Sequence, residues 1–268
     1  MLWEERILEP DGAFYDRVWS ELEHLDRVSP AAFHRRRLIR RLIAEHAADA
    51  RSILDAGSGP GQLVEELSLH FPAATLSAAD VSPHSLEQVR ARCPASDAFL
   101  LDLTAGDFER EHAERFGRFD LVVCSEVIEH VADDALALRR LERFLAPGGC
   151  LIVTVPGGKM SRFDVAIGHR RHYRKDELEA RLVSGGLEPV RVMAWGFPFQ
   201  NFYRSAVRVA SRAAIPGHAP REGSGKSGGL SRILGAGYAA FGALMLPLFF
   251  LNLPWLGEQL VAVARKSA

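Results

Sequence analysis

Three acids stand where apolar runs end. Asp55 closes Ser52-Ile53-Leu54 just ahead of the turn Gly57-Ser58-Gly59-Pro60-Gly61, Asp80 closes a second run, and Asp102 follows a third. A turn this rich in glycine allows backbone approaches that a Cβ would block. At the carboxyl end of a parallel sheet it suits a flat or extended ligand. The acids narrow the choice. Asp80 is placed to accept both hydroxyls of a ribose, and Asp102 to take an adenine amino group. The glycines are spaced G-x-G-x-G, and Gln62 stands where a dinucleotide fingerprint keeps its third glycine. A pyrophosphate needs a helix N-terminus clear of negative charge, whereas Asp55 beside the turn suits a cation. The expected ligand carries adenosine, lacks phosphate and ends in a positive group. A nicotinamide-dependent oxidoreductase is the competing reading, and Gln62 and Asp55 argue against it.

Two later segments hold groups that move protons. Glu126, Glu129 and His130 follow the fourth apolar run, spaced so that two or three can converge in one helical turn. Gly168-His169-Arg170-Arg171-His172-Tyr173-Arg174-Lys175 follows the fifth. Loops at this end of such sheets border the substrate pocket. His130, His169 or His172 can serve there as general base, with Tyr173 shaping the pocket. One or two of the basic residues could clamp an anionic substrate group, and the rest read as a solvated helix start.

The elements that must position these groups alternate. Strands are expected at 52–55, 74–80, 98–101, 119–124, 150–155, 188–194 and 258–265, and helices at 30–48, 62–70, 83–92, 133–144 and 175–184. Ser82 reads as an N-cap with Pro83 at the first helical position, and Pro147-Gly148-Gly149 as the stop of the helix at 133–144. The rhythm implies an α/β fold with a doubly wound, seven-stranded, mostly parallel sheet. The expected organisation is an N-terminal helical lid at 1–50, a core at 51–197, an apolar helical insertion at 198–257 and the last strand at 258–268.

The fold is Rossmann-like, and its motifs in order resemble the class I S-adenosylmethionine-dependent methyltransferases. The match runs through Leu54-Asp55-Ala56-Gly57-Ser58-Gly59-Pro60-Gly61, Ala79-Asp80-Val81-Ser82, Asp102-Leu103, 119–131 and 145–153. The resemblance implies that Asp55, Gly57, Ser58, Gly59 and Gly61 lie by the methionine moiety. It implies that Asp80 and Val81 hold the ribose, that Asp102 and Leu103 frame the adenine, and that Ser125 and Glu126 border cofactor and substrate. The later segments are similar to ubiquinone-biosynthesis O-methyltransferases and small-RNA 2′-O-methyltransferases. That likeness implies a Mg²⁺ site at Glu126, Glu129, His130 and His169, although the segment around His169 lacks the aromatic-rich pattern of those families. The expected reaction is O-methylation of a hydrophobic small molecule or lipid-linked intermediate, with His130 and His169 as the catalytic pair. A non-catalytic, membrane-associated scaffold is the alternative.

The chain has 268 residues, 47% hydrophobic and 25% charged, with a formal net charge of −1. No global field calls for nucleic acid. The arginines at 35–41 read as a solvated helix face without interleaved aromatic platforms. The three cysteines, Cys93, Cys124 and Cys150, form no C-x-x-C pair and read as buried thiols in the reducing cytoplasm. The N-terminus is charged early and lacks the apolar core of a secretory signal. A helix at 200–215 with an Arg204, Arg208, Arg212 stripe is followed by a Gly/Ser linker at 217–229. Residues 233–257 then carry no charge. Return of the chain to its own sheet at 258–265 argues against a single membrane crossing. This leaves a lid, a subunit contact or peripheral contact with an anionic membrane through 200–257. An apolar insertion beside the site favours a small-molecule or lipid-like acceptor. The Gly225-Lys226-Ser227 triplet is a phosphate-loop decoy, because Pro220 stands where that loop needs glycine.

Overall fold

The computed structural model describes residues 11–17, 19, 29–214, 243–253 and 255–267. The side chains of Arg208 and Arg212, the Gly/Ser stretch, the phosphate-loop decoy and residues 233–242 lie outside the described residues. The element order is α1 (Pro30–His46), β1 (Ser52–Ala56), α2 (Gln62–His70), β2 (Thr75–Asp80), α3 (Pro83–Arg92), β3 (Asp97–Leu100), α4 (Phe108–His112), β4 (Phe119–Ser125), α5 (Asp134–Phe144), β5 (Leu145–Pro156), α6 (Arg162–Ala166), α7 (Lys175–Ser184), β6 (Leu187–Trp195), α8 (Phe199–Ala214) and β7 (Gln259–Lys266).

Side-chain alternation along the strands builds two cores, one on each face of the sheet. Leu54 and Ala56 of β1, Val122 and Cys124 of β4, and Leu151, Val153 and Val155 of β5 share one core with Phe108, Leu138, Phe144 and Leu178. Ile53, Leu121, Val123, Cys150 and Ile152 face the other side, against Ile39, Leu42 and Ile43 of α1 and Leu63 and Leu67 of α2. Strands clothed on both faces read as continuous apolar runs, which is how β4 reads in the sequence. All three cysteines are free and buried.

The seven strands form one sheet in the order β3-β2-β1-β4-β5-β7-β6. Pairing is parallel from β3 through β5, and β7 runs antiparallel between β5 and β6. Ser82 caps α3 as expected, its Oγ accepting the backbone N–H of Ser85 at 3.0 Å, with Pro83 opening the helix. One expectation is corrected. Pro147-Gly148-Gly149 does not stop α5, which ends at Phe144; Leu145 already pairs with Phe119, and the next pair is Leu121 with Cys150. The triplet is a bulge inside β5, with Gly148 at φ 73°. α4 and α6 are short helices that the pattern analysis did not anticipate. Each spans five residues, too few for a hydrophobic period to register.

Candidate active site

The glycine turn joins β1 to α2 at the middle of the sheet. Gly57, Gly59 and Gly61 adopt left-handed φ values of 81°, 51° and 86°. An added Cβ on Gly57 would lie 2.1 Å from Val127 Cγ2. The turn is tied to β2, with Gly57 N–H and Ser58 N–H both donating to the Ala79 carbonyl, at 2.7 and 3.0 Å. Asp80 Oδ2 accepts the N–H of Gly59 at 2.8 Å, and Oδ1 accepts that of Ser82 at 2.9 Å.

Asp55 and Asp80 are both buried beside this turn. Burial, then the charge of Asp80, pushes the Asp55 carboxyl up to about 7. Burial raises Asp80 to about 6 against the opposing pull of backbone N–H donors from Ser82, Gly59 and Val81. Asp55 Oδ2 is buried without a hydrogen-bond partner. A low-dielectric pocket with an unanswered carboxylate favours a cationic ligand. The turn, the orphaned oxygen and the second carboxylate therefore fit a ligand with a positive end and an adenosine.

The next two expected contacts sit further along the strand ends. Leu101 N–H donates to the Asp80 carbonyl at 3.0 Å, which places Asp102 next to Asp80. Asp102 Oδ1 accepts from the N–H and hydroxyl of Thr104 at 2.7 and 2.6 Å. Leu103 is buried in the core beside Phe108, and its carbonyl accepts from Arg140. Val81 is half-buried, and its carbonyl lies under Gly12. The N-terminal stretch thus crosses the cofactor end: Trp19 covers Gly59, Asp16 Oδ1 accepts from the Ser82 hydroxyl, and Tyr15 meets the His130 ring edge-on at 5.5 Å. Sequence reasoning missed these three residues, which precede the first strand and carry no motif. The aromatic residues Tyr15 and Trp19 ahead of an arginine-rich helix were a signal for two of them, and Asp16 carried none.

The proton-moving groups form a second cluster. Ser125 ends β4 with its hydroxyl 2.9 Å from Thr154 Oγ1, and Thr154 Oγ1 donates to Glu126 Oε1 at 3.1 Å. Glu126 adopts φ 58°, the left-handed region that a side chain strains to occupy. Residues 127–131 then coil back, with His130 N–H donating to the Val127 carbonyl. The loop at 168–174 closes over them through Arg170 N–H to the Glu129 carbonyl at 2.9 Å. Candidate ligand atoms of Glu129, His130 and His169 lie within 4.8 Å of one another, as do those of Asp164, His169 and His172. Desolvation lowers His130 and His169 to about 4, so both imidazoles are neutral near pH 7.

The structure brings three of the four expected metal ligands together, Glu129, His130 and His169. Glu126 is outside both groups; its carboxylate turns to Thr154 and, at 3.9 Å, to Arg35. Asp164 and His172 stand beside His169 instead. Mg²⁺ favours oxygen ligands in an octahedron and keeps several waters, whereas two of these three groups are imidazoles. Tyr173 also departs from expectation. Its hydroxyl donates to the Ile128 carbonyl and Asp134, which fixes the loop instead of lining the pocket. Arg171 pairs with buried Asp134 at 2.8 Å, and Arg174 forms an exposed pair with Asp176 at 2.6 Å.

Residues 54–153 match the family model described as a methyltransferase domain. The core is a class I S-adenosylmethionine-dependent methyltransferase domain. The chain is 36% identical over 106 residues to trans-aconitate 2-methyltransferase of Methylobacterium radiotolerans, covering 40% of this chain and 38% of that one. It is 29% identical over 150 residues to ubiquinone biosynthesis O-methyltransferase of Xanthomonas oryzae, covering 53% and 59%. The chain therefore spans less than two thirds of these relatives. Phosphoethanolamine N-methyltransferase 2 of Haemonchus contortus, solved with S-adenosyl-L-methionine, superposes with a TM-score of 0.65 at 15% identity, over 96% of this chain and 60% of that one. That likeness is one of fold. The glycine turn, Asp55 and Asp80 lie at the ends of β1 and β2, and the histidine cluster lies after β4, the neighbour of β1.

Proposed function

We propose that this chain transfers the methyl group of S-adenosylmethionine to an oxygen of a hydrophobic small-molecule or lipid-like acceptor. The observation that carries the reading is the buried, unpartnered Asp55 oxygen beside the glycine turn, next to a strand that leads into neutral imidazoles. In the proposed complex Asp55, Gly57, Ser58, Gly59 and Gly61 hold the methionine end. Asp80 and Val81 hold the ribose, Asp102 and Leu103 the adenine, and Ser125 and Glu126 the border with the acceptor. The methyl on a sulfonium is already activated, so the protein's tasks are alignment, exclusion of water and acceptance of a proton. His130 and His169 present imidazole nitrogens at which a hydroxyl proton can be received.

The apolar face around α8 supports this acceptor class. A groove lined by Pro198, Phe199, Phe202, Met245 and Leu248 borders it. Arg204, on the same helix, lies 3.9 Å from Asp164 in the histidine cluster. Among the described residues no helix is long and apolar enough to cross a membrane. Exposed Phe202, Leu244, Phe250, Leu251 and Trp255 support peripheral membrane contact through 200–257, with Arg37 stacked 4.3 Å over Phe250.

The test has two arms. Calorimetry should detect S-adenosylhomocysteine and not NAD, and methyl label from S-adenosylmethionine should enter organic-extractable hydroxylated compounds. Label found only on amines would reject the oxygen assignment, and absence of S-adenosylhomocysteine binding would reject the reading as a whole.

A further inference from the structure

A guanidinium withdrawn from water needs acceptors, and the arginines of this chain mostly have them. Arg36 donates to Glu66, Arg140 to the Leu103 carbonyl, and Arg265 to the carbonyls of Gly148 and His46. Of the arginines whose side chains are described and not exposed, only Arg35 and Arg170 donate no side-chain hydrogen bond, and the Nε of each is buried. Arg35 lies on α1, and its ion-pair partner Glu126 stands 3.9 Å away, beyond hydrogen-bond reach. Arg170 belongs to the loop at 168–174. Its backbone N–H is tied to the Glu129 carbonyl at 2.9 Å, and its guanidinium forms no ion pair among the described residues. Both charges bear on the histidine cluster. That of Arg35 acts on Glu129, and that of Arg170 on Tyr15, whose ring meets His130. Partly desolvated cations without acceptors carry a cost that an anionic ligand relieves. They are the counterpart, on the acceptor side, of the orphaned Asp55 oxygen.

We propose that Arg35 and Arg170 bind a carboxylate of the acceptor, which is then an apolar hydroxy acid held by its acid group beside His130 and His169. A guanidinium is a planar fork of donors that matches the two oxygens of a carboxylate. The neighbouring arginines of the same loop are already occupied, Arg171 by Asp134 and Arg174 by Asp176. The surroundings set the charge of the ligand. Glu126 stands by Arg35, and Glu129 and Asp164 lie in the cluster itself. A singly charged carboxylate meets less repulsion from these acids than a doubly charged phosphate monoester does. The acid group anchors and the hydroxyl accepts the methyl group, so the clamp supplies orientation. As an acceptor site it rests on the methyl-transfer reading, and it narrows the acceptor from a lipophilic compound to an acidic one.

The test uses benzoate, its neutral isostere benzamide, and phenylphosphonate at about pH 8 as the doubly charged probe. Each is titrated by calorimetry into the full chain, with and without saturating S-adenosylhomocysteine. Benzoate should bind about 10-fold or more tightly than benzamide, and more tightly than phenylphosphonate. Arg35→Gln and Arg170→Gln should each weaken benzoate by about 10-fold or more, with circular dichroism reporting the fold of each variant. Arg174→Gln, which removes an exposed pair in the same loop, should leave benzoate affinity unchanged. No benzoate binding, equal affinities for benzoate and benzamide, or wild-type benzoate affinity in both Arg35→Gln and Arg170→Gln would overturn the clamp. A loss in Arg174→Gln as large as that in Arg170→Gln would also overturn it, because a general positive field would then explain the binding. Tighter binding of phenylphosphonate would overturn the carboxylate assignment. Normal S-adenosylhomocysteine binding without benzoate binding rejects the clamp alone. Benzoate binding by a chain that does not take S-adenosylhomocysteine rejects the methyl-transfer reading alone.

Discussion

Replacing Asp55 by asparagine keeps the shape of a side chain at the end of β1 and removes its charge. In the ligand-free protein the carboxyl is pushed from 3.8 up to about 7, first by burial and then by Asp80. The folded-state value lies above the unfolded one, so the neutral acid is the form the fold prefers. The sign follows. Below pH about 4 both states are protonated, and wild type and Asp55→Asn should be equally stable with respect to this group. Between pH about 4 and 7 the unfolded chain ionises first, so wild-type stability falls relative to the variant, and above 7 the difference levels off. At about 1.36 kcal/mol per pH unit, the rise from 3.8 to about 7 sets an upper bound of about 4 kcal/mol, which water entering the pocket would reduce. Urea denaturation of both proteins at intervals from pH 4.5 to 8.5 measures the gap. The variant should gain over wild type as pH rises. Saturating S-adenosylmethionine should narrow that gap, because a cationic ligand stabilises ionised Asp55 only in wild type. Parallel pH profiles for the two proteins would refute the argument. They would mean that Asp55 is solvated or already paired, and the cation-binding reason for its position would fall with it.

Four further outcomes are expected. Gly57→Ala should abolish S-adenosylhomocysteine binding in calorimetry and lower the melting temperature, because the new Cβ meets Val127 at φ 81°. His169→Ala should lower kcat by about 10²–10⁴-fold while S-adenosylhomocysteine affinity, read by calorimetry, stays near wild type. Phe144→Ala should cost about 3–5 kcal/mol in chemical denaturation, since this ring is fully buried and packs against Phe99, Phe108, Phe116 and Phe119. Trp255→Ala combined with Phe250→Ala should reduce co-sedimentation with anionic vesicles and leave S-adenosylhomocysteine binding intact; unchanged sedimentation would count against membrane contact through this face.

What the sequence determined by itself was local or periodic. Ser82 and Pro83 mark the start of α3 because a cap needs only its next three residues. The centre of β4, Leu121–Cys124, is legible because burial on both faces leaves an unbroken apolar run, and the glycine turn is legible because left-handed φ values at Gly57, Gly59 and Gly61 demand that residue. The tertiary structure decided which chemical groups meet. Glu126 and Glu129 are three apart, a spacing that suggests one cluster, yet the φ of 58° at Glu126 turns its carboxylate towards Thr154 and Arg35. Asp164 joins His169 and His172 only because α6 folds its loop back on the turn after β4. Pro147-Gly148-Gly149 carries the same turn signal whether it ends a helix or bulges a strand, and pairing of Leu145 with Phe119 makes it the latter. Trp19 reaches Gly59, Asp16 reaches Ser82 and Tyr15 reaches His130 from more than thirty residues ahead in the chain, contacts that no local pattern encodes. Periodicity and turn chemistry act over a few residues, whereas a site is assembled by contacts between distant ones, and those are settled when the sheet and its loops pack.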